Sequence, residues 1–483
     1  MALYLGFDVG TQGTKGVVID DAQRAVVARA SASYGLIEGL PAGFAEQHPD
    51  TWAAALRDVT TRLLQQVDLK GLAGIGVSGQ QHGCVTLDAR GEVVRPAKLW
   101  CDTSAAAEAA ELSARAGRAI PAGFTAPKLV WMRTHEPELW KRVDLVLLPH
   151  DWVNYKLTGL ATMEPGDASG TGWFDPQTRR FCPRTMKLVD ARLPGMLPPL
   201  LESGAIAGEL TAAGAKWIGL PQACVGTPVS TGGGDNMMSA IGAGATREGV
   251  AVLSLGTSAT VFAHSAKPIV DPRGAIAPFC DSSGGWLPLL CVMNATGVLE
   301  EVRAAFGGDL ESLTREAERV EPLCGGVTFV PFLVGERVPD LPHATGSLLG
   351  LRPGSLRSGV VFRAALEGVA LNLANGVARL RELGLAIDTV RAVGGGARNA
   401  LWRSILADAL EATVVPLSEA ETGALGAALQ GAWTRRRASG EDVSMDAVAS
   451  GWAAPASAPS RPDPRRVLAY REARERFVRA HGA

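Results

Sequence analysis

A chain of 483 residues is longer than one hydrophobic core usually organises, so two domains are expected. Hydrophobic residues at 47% against 20% charged give a globular balance, and a formal charge of −2 leaves no electrostatic footprint for nucleic acid or an anionic membrane. Seven cysteines without a Cys-x-x-Cys pair read as reduced, mostly buried thiols of a cytoplasmic protein, with no metal-ligand spacing to any histidine.

The N-terminus enters a strand instead of a secretory signal, and no uninterrupted apolar span is long enough to cross a bilayer. That first stretch, residues 4–16, combines an apolar strand bearing Asp8, a Gly-Thr-Gln-Gly-Thr turn and a second strand. Gly10 and Gly13 allow a tight hairpin whose backbone N–H groups can face an anion, and the threonines and Lys15 add donors. A third strand is expected over 26–32. Pro49 then opens a helix with Trp52, Leu56, Val59 and Leu63 on one face. The next strand, 72–78, runs into Gly79-Gln80-Gln81-His82-Gly83, and 97–102 reads as a short strand ending on Asp102. Helices are expected over 105–116 and from Lys128, and a buried strand over 143–148. Residues 162–198 are rich in turn formers and read as a loop-heavy excursion.

A short strand at 228–231 enters Gly232-Gly233-Gly234-Asp235-Asn236, and a helix follows from Met237. Residues 251–262 then repeat the opening device as a strand, a Gly256-Thr257-Ser258 turn and another strand, with Ser254 at the place of Asp8. The longest helix is expected over 356–383, with Phe362, Leu366, Val369, Leu373, Val377 and Leu380 as its stripe. A strand at 390–393 leads into the glycine turn 394–399 and a further helix over 401–410. Residues 453–463 read as a linker, and 465–480 as a basic amphipathic helix docked through Tyr470, Ala473 and Phe477. The strand and helix order is an α/β pattern with mixed sheets, and the doubled hairpin suggests two related domains gripping one phosphorylated ligand.

Several residues could carry chemistry. No Gly-x-x-x-x-Gly-Lys-Ser/Thr occurs, and the Gly-x-Gly-x-x-Gly at Gly74, Gly76 and Gly79 lies within a strand, so P-loop and dinucleotide readings both fail. Asp8 reads either as a polar residue closing its strand or as a carboxylate holding Mg²⁺ through water beside a phosphate hairpin. Asp235 is either an ordinary helix N-cap or the base that accepts a hydroxyl proton during phosphoryl transfer; the preceding glycines favour a crowded site open to substrate. Gln80, Gln81 and His82 at a strand's exit suit a polyhydroxylated ligand, and Glu46-Gln47-His48, Trp100 and Asp102 extend the same wall.

Taken together, these motifs resemble the FGGY carbohydrate kinases, among them the bacterial xylulose kinases. The resemblance rests on Gly6 to Thr11, Glu46 to Pro49, Gly79 to Gly83, Gly123 to Leu129, Leu255 to Ser258, Gly335 to Arg337, Gly346 through Glu367 and Gly394 to Asn399. It implies an α/β fold of two actin/hexokinase-like (ribonuclease H-like) domains with nucleotide and sugar in the cleft between them. The expected division is 1–246, 247–440, and 441–483 as linker and docked helix. The resemblance also implies ATP-dependent phosphorylation of D-xylulose to D-xylulose 5-phosphate with Mg²⁺, and Asp235 as the base. Substrate contacts would be Gln80, Gln81, His82, Trp100, Asp102, Asp235 and Asn236. ATP contacts would be Asp8, Thr11, Gln12, Lys15, Gly256, Thr257, Gly395, Gly396 and Asn399. Gln81 and Cys101 depart from the xylulose-kinase pattern, which leaves other ketoses, pentitols or glycerol open as acceptors. A non-catalytic ATP-binding module like actin is the rival from another class. The resemblance allows a homodimer.

Overall fold

The computed structural model describes residues 2–481. Its first sheet has the order Ile206–Glu209, Pro228–Ser230, Leu72–Gly79, Leu3–Val9, Gly13–Asp20, Ala25–Ser33, and Gly233–Gly234 also pairs with Leu72–Gly79. The second runs Ala277–Cys280, Trp286–Val292, Ala259–Ala263, Gly249–Leu255, Ile387–Val393, Thr413–Pro416. In both, the leading strand is antiparallel to its hairpin partner and parallel to a later strand. Asp8 thus stands between Lys15 and Ser78, and Ser254 between Thr260 and Val393. Each turn closes on its first glycine, with Gly10 N donating to Gly13 O and Gly256 N to Ser258 O, both at 3.0 Å. The doubling expected from sequence is therefore a doubling of topology.

Two helices cover the faces of the first sheet. Pro49–Leu64 lays Trp52, Leu56, Val59 and Leu63, all fully buried, on one side. Thr422–Ala438 crosses the other side at backbone contact: a β-carbon on Gly76 would lie 1.9 Å from Ala427 O. This helix falls within the span assigned to the second domain, yet it packs on the first sheet. It also crosses Asp235–Gly242 so closely that a β-carbon on Gly426 would lie 1.8 Å from Met238 O. The strand glycines Gly74 and Gly76 thus serve helix packing, which explains their spacing without a dinucleotide.

The helix Ser358–Glu382 is the centre of the second domain, and its expected stripe is fully buried. It is long and apolar enough to cross a membrane, which the sequence reading did not anticipate, but it is enclosed by the domain. None of the seven cysteines forms a disulfide, and Cys84, Cys224, Cys280 and Cys324 are buried. The linker is ordered by contact: Val414 bridges to Ser460 and Leu417 to Pro455, so the segment covers the edge strand Thr413–Pro416. The helix Pro464–His481 then inserts Tyr470, Ala473 and Phe477 into the second core, as its pattern predicts.

Two expectations fail locally. Residues 162–198 hold the helices Pro165–Ala168, Pro183–Val189 and Leu193–Met196 and bury Glu164, Asp167, Trp173 and Phe174. Their turn-rich composition marks short elements packed tightly, not a loose excursion. The strand expected over 97–102 is only Ala97–Lys98, and the chain turns before Asp102.

Candidate active site

Asp8 and Asp235 lie close enough that the charge of Asp8 acts on Asp235. Asp8 ends the strand Leu3–Val9 and accepts the Ser78 hydroxyl at 2.6 Å. Burial raises its pKa, against the opposing pull of Lys15 and the Ser78 hydrogen bond. Lys15 sits across the hairpin, pairs with Glu421 at 2.8 Å, and has its own pKa raised by Asp8, Glu421 and Asp235 despite the cost of burial. Asp235 is the first residue of the helix Asp235–Gly242 and Gly234 is the cap, so the N-cap reading is excluded. Its Oδ1 accepts Asn236 N at 2.8 Å and Asn236 Nδ2 at 3.0 Å. Burial and the nearby charges of Asp8 and Asp167 push Asp235 up to about 7, opposed by the Asn236 amide and Lys15. A carboxylate poised there can hold or release a proton near neutrality.

The glycines before Asp235 do not leave open space for a ligand. A β-carbon on Gly233 would lie 2.3 Å from Ser282 Oγ, and one on Gly234 would lie 2.7 Å from Gln81 Cγ. They let the strand pair with Leu72–Gly79 and bring Asp235 beside Gln81. Gln81 Oε1 accepts Asn236 Nδ2 at 2.8 Å, while Gln81 Nε2 and His82 Nδ1 are buried without hydrogen-bond partners. His82 has φ +64°, and its ring packs against Phe124 at 4.9 Å and Phe279 at 5.7 Å. Burial, with the Lys128 and Arg337 cations, lowers the His82 pKa to about 3, so the imidazole is neutral. Buried polar atoms without partners are costly; Gly170 covers His82 Nδ1, which leaves Gln81 Nε2 as the unpartnered donor beside Asn236.

Three expected wall residues have other work. Gln80 is fully buried, accepts the Thr11 hydroxyl at 2.9 Å and donates to Gln47 Oε1 at 3.0 Å. Asp102 is fully buried, accepts Ala45 N at 2.8 Å and lies 3.3 Å from Lys98 Nζ. His48 caps its helix through Asp50 N. Trp100 is exposed, with its indole N–H on Thr11 Oγ1 at 2.9 Å. The network Trp100–Thr11–Gln80–Gln47 therefore ties the first hairpin to the wall.

On the other side, Gln12, Gly256 and Thr257 are exposed at the two hairpin tips. The start of the helix Thr296–Phe306 is fastened to the second tip, with Thr296 N on Gly256 O at 2.9 Å and Ala295 N on Thr257 O at 3.0 Å. The Gly394–Asn399 turn abuts this hairpin, and around Gly395 no other atom comes within 4 Å of a β-carbon. Gly396 packs against Trp402 and Leu255. Asn399 is occupied as a helix cap, with Oδ1 on Trp402 N at 2.9 Å and Nδ2 on Thr314 Oγ1 at 2.9 Å. Sequence reasoning missed Ser78, Lys128, Asp167, Phe279, Glu421 and Gly423. Of these only Lys128 lay in a segment already singled out.

Models of the FGGY family of carbohydrate kinases match the chain twice, the N-terminal domain over residues 3–242 and the C-terminal domain over 251–435. The chain is 38% identical to the xylulose kinase of Haemophilus influenzae, covering 89% of this chain and 90% of that one. It is 39% identical to the xylulose kinase of Streptomyces coelicolor, over 93% and 90%. A crystal structure of xylulose kinase from Rhodospirillum rubrum superposes with a TM-score of 0.89 at 28% identity, over 99% and 98%. A xyloylose kinase from Brucella ovis gives 0.90 at 33% identity, over 99% of both chains. Two mixed sheets with doubled hairpins, facing carboxylates and matches along nearly the whole length give one answer: this chain belongs to the FGGY family of carbohydrate kinases and is a phosphotransferase with an alcohol acceptor.

Proposed function

We propose that this kinase transfers the γ-phosphoryl group of ATP to the 5-hydroxyl of D-xylulose, with Asp235 as the general base. The observation that carries the reading is Asp235 itself, a partly exposed carboxylate held at about 7 beside Asp8 and Asn236. At neutral pH a useful fraction is ionised, accepts the hydroxyl proton as the phosphoryl group moves, and returns it to solvent afterwards. Asn236 and Gln81 support the sugar beside it, with His82 and Trp100 as wall. Gln80 and Asp102 act as positioning residues, because their own polar atoms are engaged. The xylulose-kinase relatives favour a ketopentose over a pentitol or glycerol.

Gln12, Lys15, Thr11, Gly256 and Thr257 are the proposed phosphate contacts, and Gly395 and Gly396 the nucleoside platform, with Asn399 fixing its turn. Asp8 is the proposed Mg²⁺ contact. Among the described residues no cluster of three or more candidate ligands could hold a metal alone. That fits a cation carried largely by substrate phosphates and water, with one or two protein carboxylates nearby. When bound, it would neutralise charge on the transferring group. The proposed domain division at 246 and 440 separates the two sheets, with Thr422–Ala438 crossing back.

ADP release by the purified protein against a panel of pentuloses, pentitols and glycerol tests this reading. D-Xylulose should give the highest kcat/KM. Best turnover with glycerol or a pentitol would overturn the substrate assignment.

A further inference from the structure

Lys128 stands on the helix Thr125–His135, in the Gly-Phe-Thr-Ala-Pro-Lys-Leu segment that neither the nucleotide nor the proton chemistry uses. Its side chain is fully enclosed, at 1% exposure. The neighbouring carboxylates Glu46 and Asp102 pair with Lys98 instead. The Lys128 ammonium donates to two main-chain carbonyls, His82 O and Gly123 O, each at 2.7 Å. Burial pulls its pKa down to about 7, against the opposing influence of Cys84 and Asp102. A site that needed only packing would be better filled by an apolar side chain, since a buried cation without an ion-pair partner is costly.

What the two carbonyls share is the proposed sugar wall. His82 occupies the left-handed region at φ +64°, which a residue with a β-carbon holds only when its surroundings over-determine it. The Lys128 Nζ donor on its carbonyl is such a restraint, and Thr125 Oγ1 adds a second at 3.3 Å. Gly123 precedes Phe124, the ring against which His82 packs. Gly123 also lies so near Trp100 that a β-carbon there would be 2.5 Å from Trp100 O. One ammonium therefore joins the backbone of His82 to the loop that carries Phe124 and abuts Trp100.

We propose that Lys128 is a positioning residue for the sugar: by tying the carbonyls of His82 and Gly123 together it sets the His82 ring and Phe124 as one wall of the acceptor pocket. The inference rests on the assignment of His82 to that pocket. Lys128 acts through His82 and does not touch the reacting atoms.

Steady-state kinetics on the full chain, with D-xylulose and ATP varied separately, test it in Lys128→Met, Lys128→Gln, His82→Ala and the double variant Lys128→Met/His82→Ala. Lys128→Met should raise the KM for D-xylulose about ten- to hundredfold, the range of a hydrogen bond from a charged donor, and leave the KM for ATP within about twofold. Lys128→Gln keeps an amide donor and should recover part of the loss. The double variant should be no worse than His82→Ala, because residues acting through one another are not additive. An unchanged D-xylulose KM in Lys128→Met, or fully additive losses, would overturn the proposal. So would failure of both Lys128 variants to fold, which would make the residue a stability element only. A wild-type enzyme with no turnover on any ketose would instead sink the sugar assignment, a distinct outcome.

Discussion

Gly423 rests directly on Asp8: a β-carbon on Gly423 would lie 2.8 Å from Asp8 Cγ and 2.9 Å from Oδ2. The contact joins the first strand to the start of the helix Thr422–Ala438, so the carboxylate is positioned by an element far along the chain. Gly423→Ala should push Asp8 aside. Displacement of about 1 Å at such a group can cost on the order of a hundredfold. We expect kcat to fall by about that factor and the Mg²⁺ concentration for half-maximal rate to rise, while D-xylulose affinity changes little. Wild-type metal dependence in the variant would contradict the placement of Asp8 at the phosphates.

Asp235→Asn should lower kcat by about 10²–10⁴-fold, the usual contribution of a general base, with ATP binding nearly intact by calorimetry. In the wild type, the rate should rise with pH through a limb near 7, because the base works only when deprotonated and its pKa is held at about 7. Asp8 is one cause of that elevation. Asp8→Asn should therefore move the limb of the residual activity to lower pH. A pH-rate profile flat between 5.5 and 8 (about 1.5 below and 1 above the limb) would remove Asp235 from the role.

The same shift makes a stability prediction of defined sign. A carboxyl whose folded pKa is raised binds its proton more tightly in the folded state, so folding stability falls as pH climbs from the unfolded value to about 7. Asp235→Asn removes the disfavoured charge. The ligand-free variant should melt about 2–4 °C above wild type at pH 8 and alongside it at pH 4. A lower melting temperature at pH 8 would contradict the assigned shift.

Gly170 is the floor under His82: its β-carbon would lie 1.8 Å from His82 Nδ1. Gly170→Ala must displace the ring, and we expect the D-xylulose KM to rise about tenfold or more with ATP KM unchanged. Equal effects on both substrates would place His82 outside the sugar pocket.

The C-terminal helix is a structural dependency of the second core. Phe477 is fully buried against Phe332 at 6.0 Å, and Tyr470 donates its hydroxyl to Glu367 at 2.9 Å. Phe477→Ala should cost about 3–5 kcal/mol of stability, measured by denaturant unfolding of the second-domain transition. A loss under 1 kcal/mol (about one buried methylene) would mean the helix is dispensable.

By itself the sequence determined the family, the two hairpins and the principal strands and helices, and it singled out Asp8 and Asp235 as candidates. These are local signals: a glycine turn between apolar strands, a periodic stripe, a carboxylate at a strand's end. What only the tertiary structure decided is which polar side chains remain free to meet a ligand. Gln80 and Asp102 look like ligand contacts in sequence but are consumed by Thr11, Gln47, Ala45 and Lys98. Gly233 and Gly234 look like an open approach but seat a strand against Ser282 and Gln81. Gly170 and Gly423 carry no motif of their own, because what they do depends on backbone brought close to distant side chains by folding, and the Lys128 side chain meets its carbonyl partners only in the fold. Hydrogen-bond saturation and close backbone approach are properties of distant segments in contact, and no window of sequence encodes them.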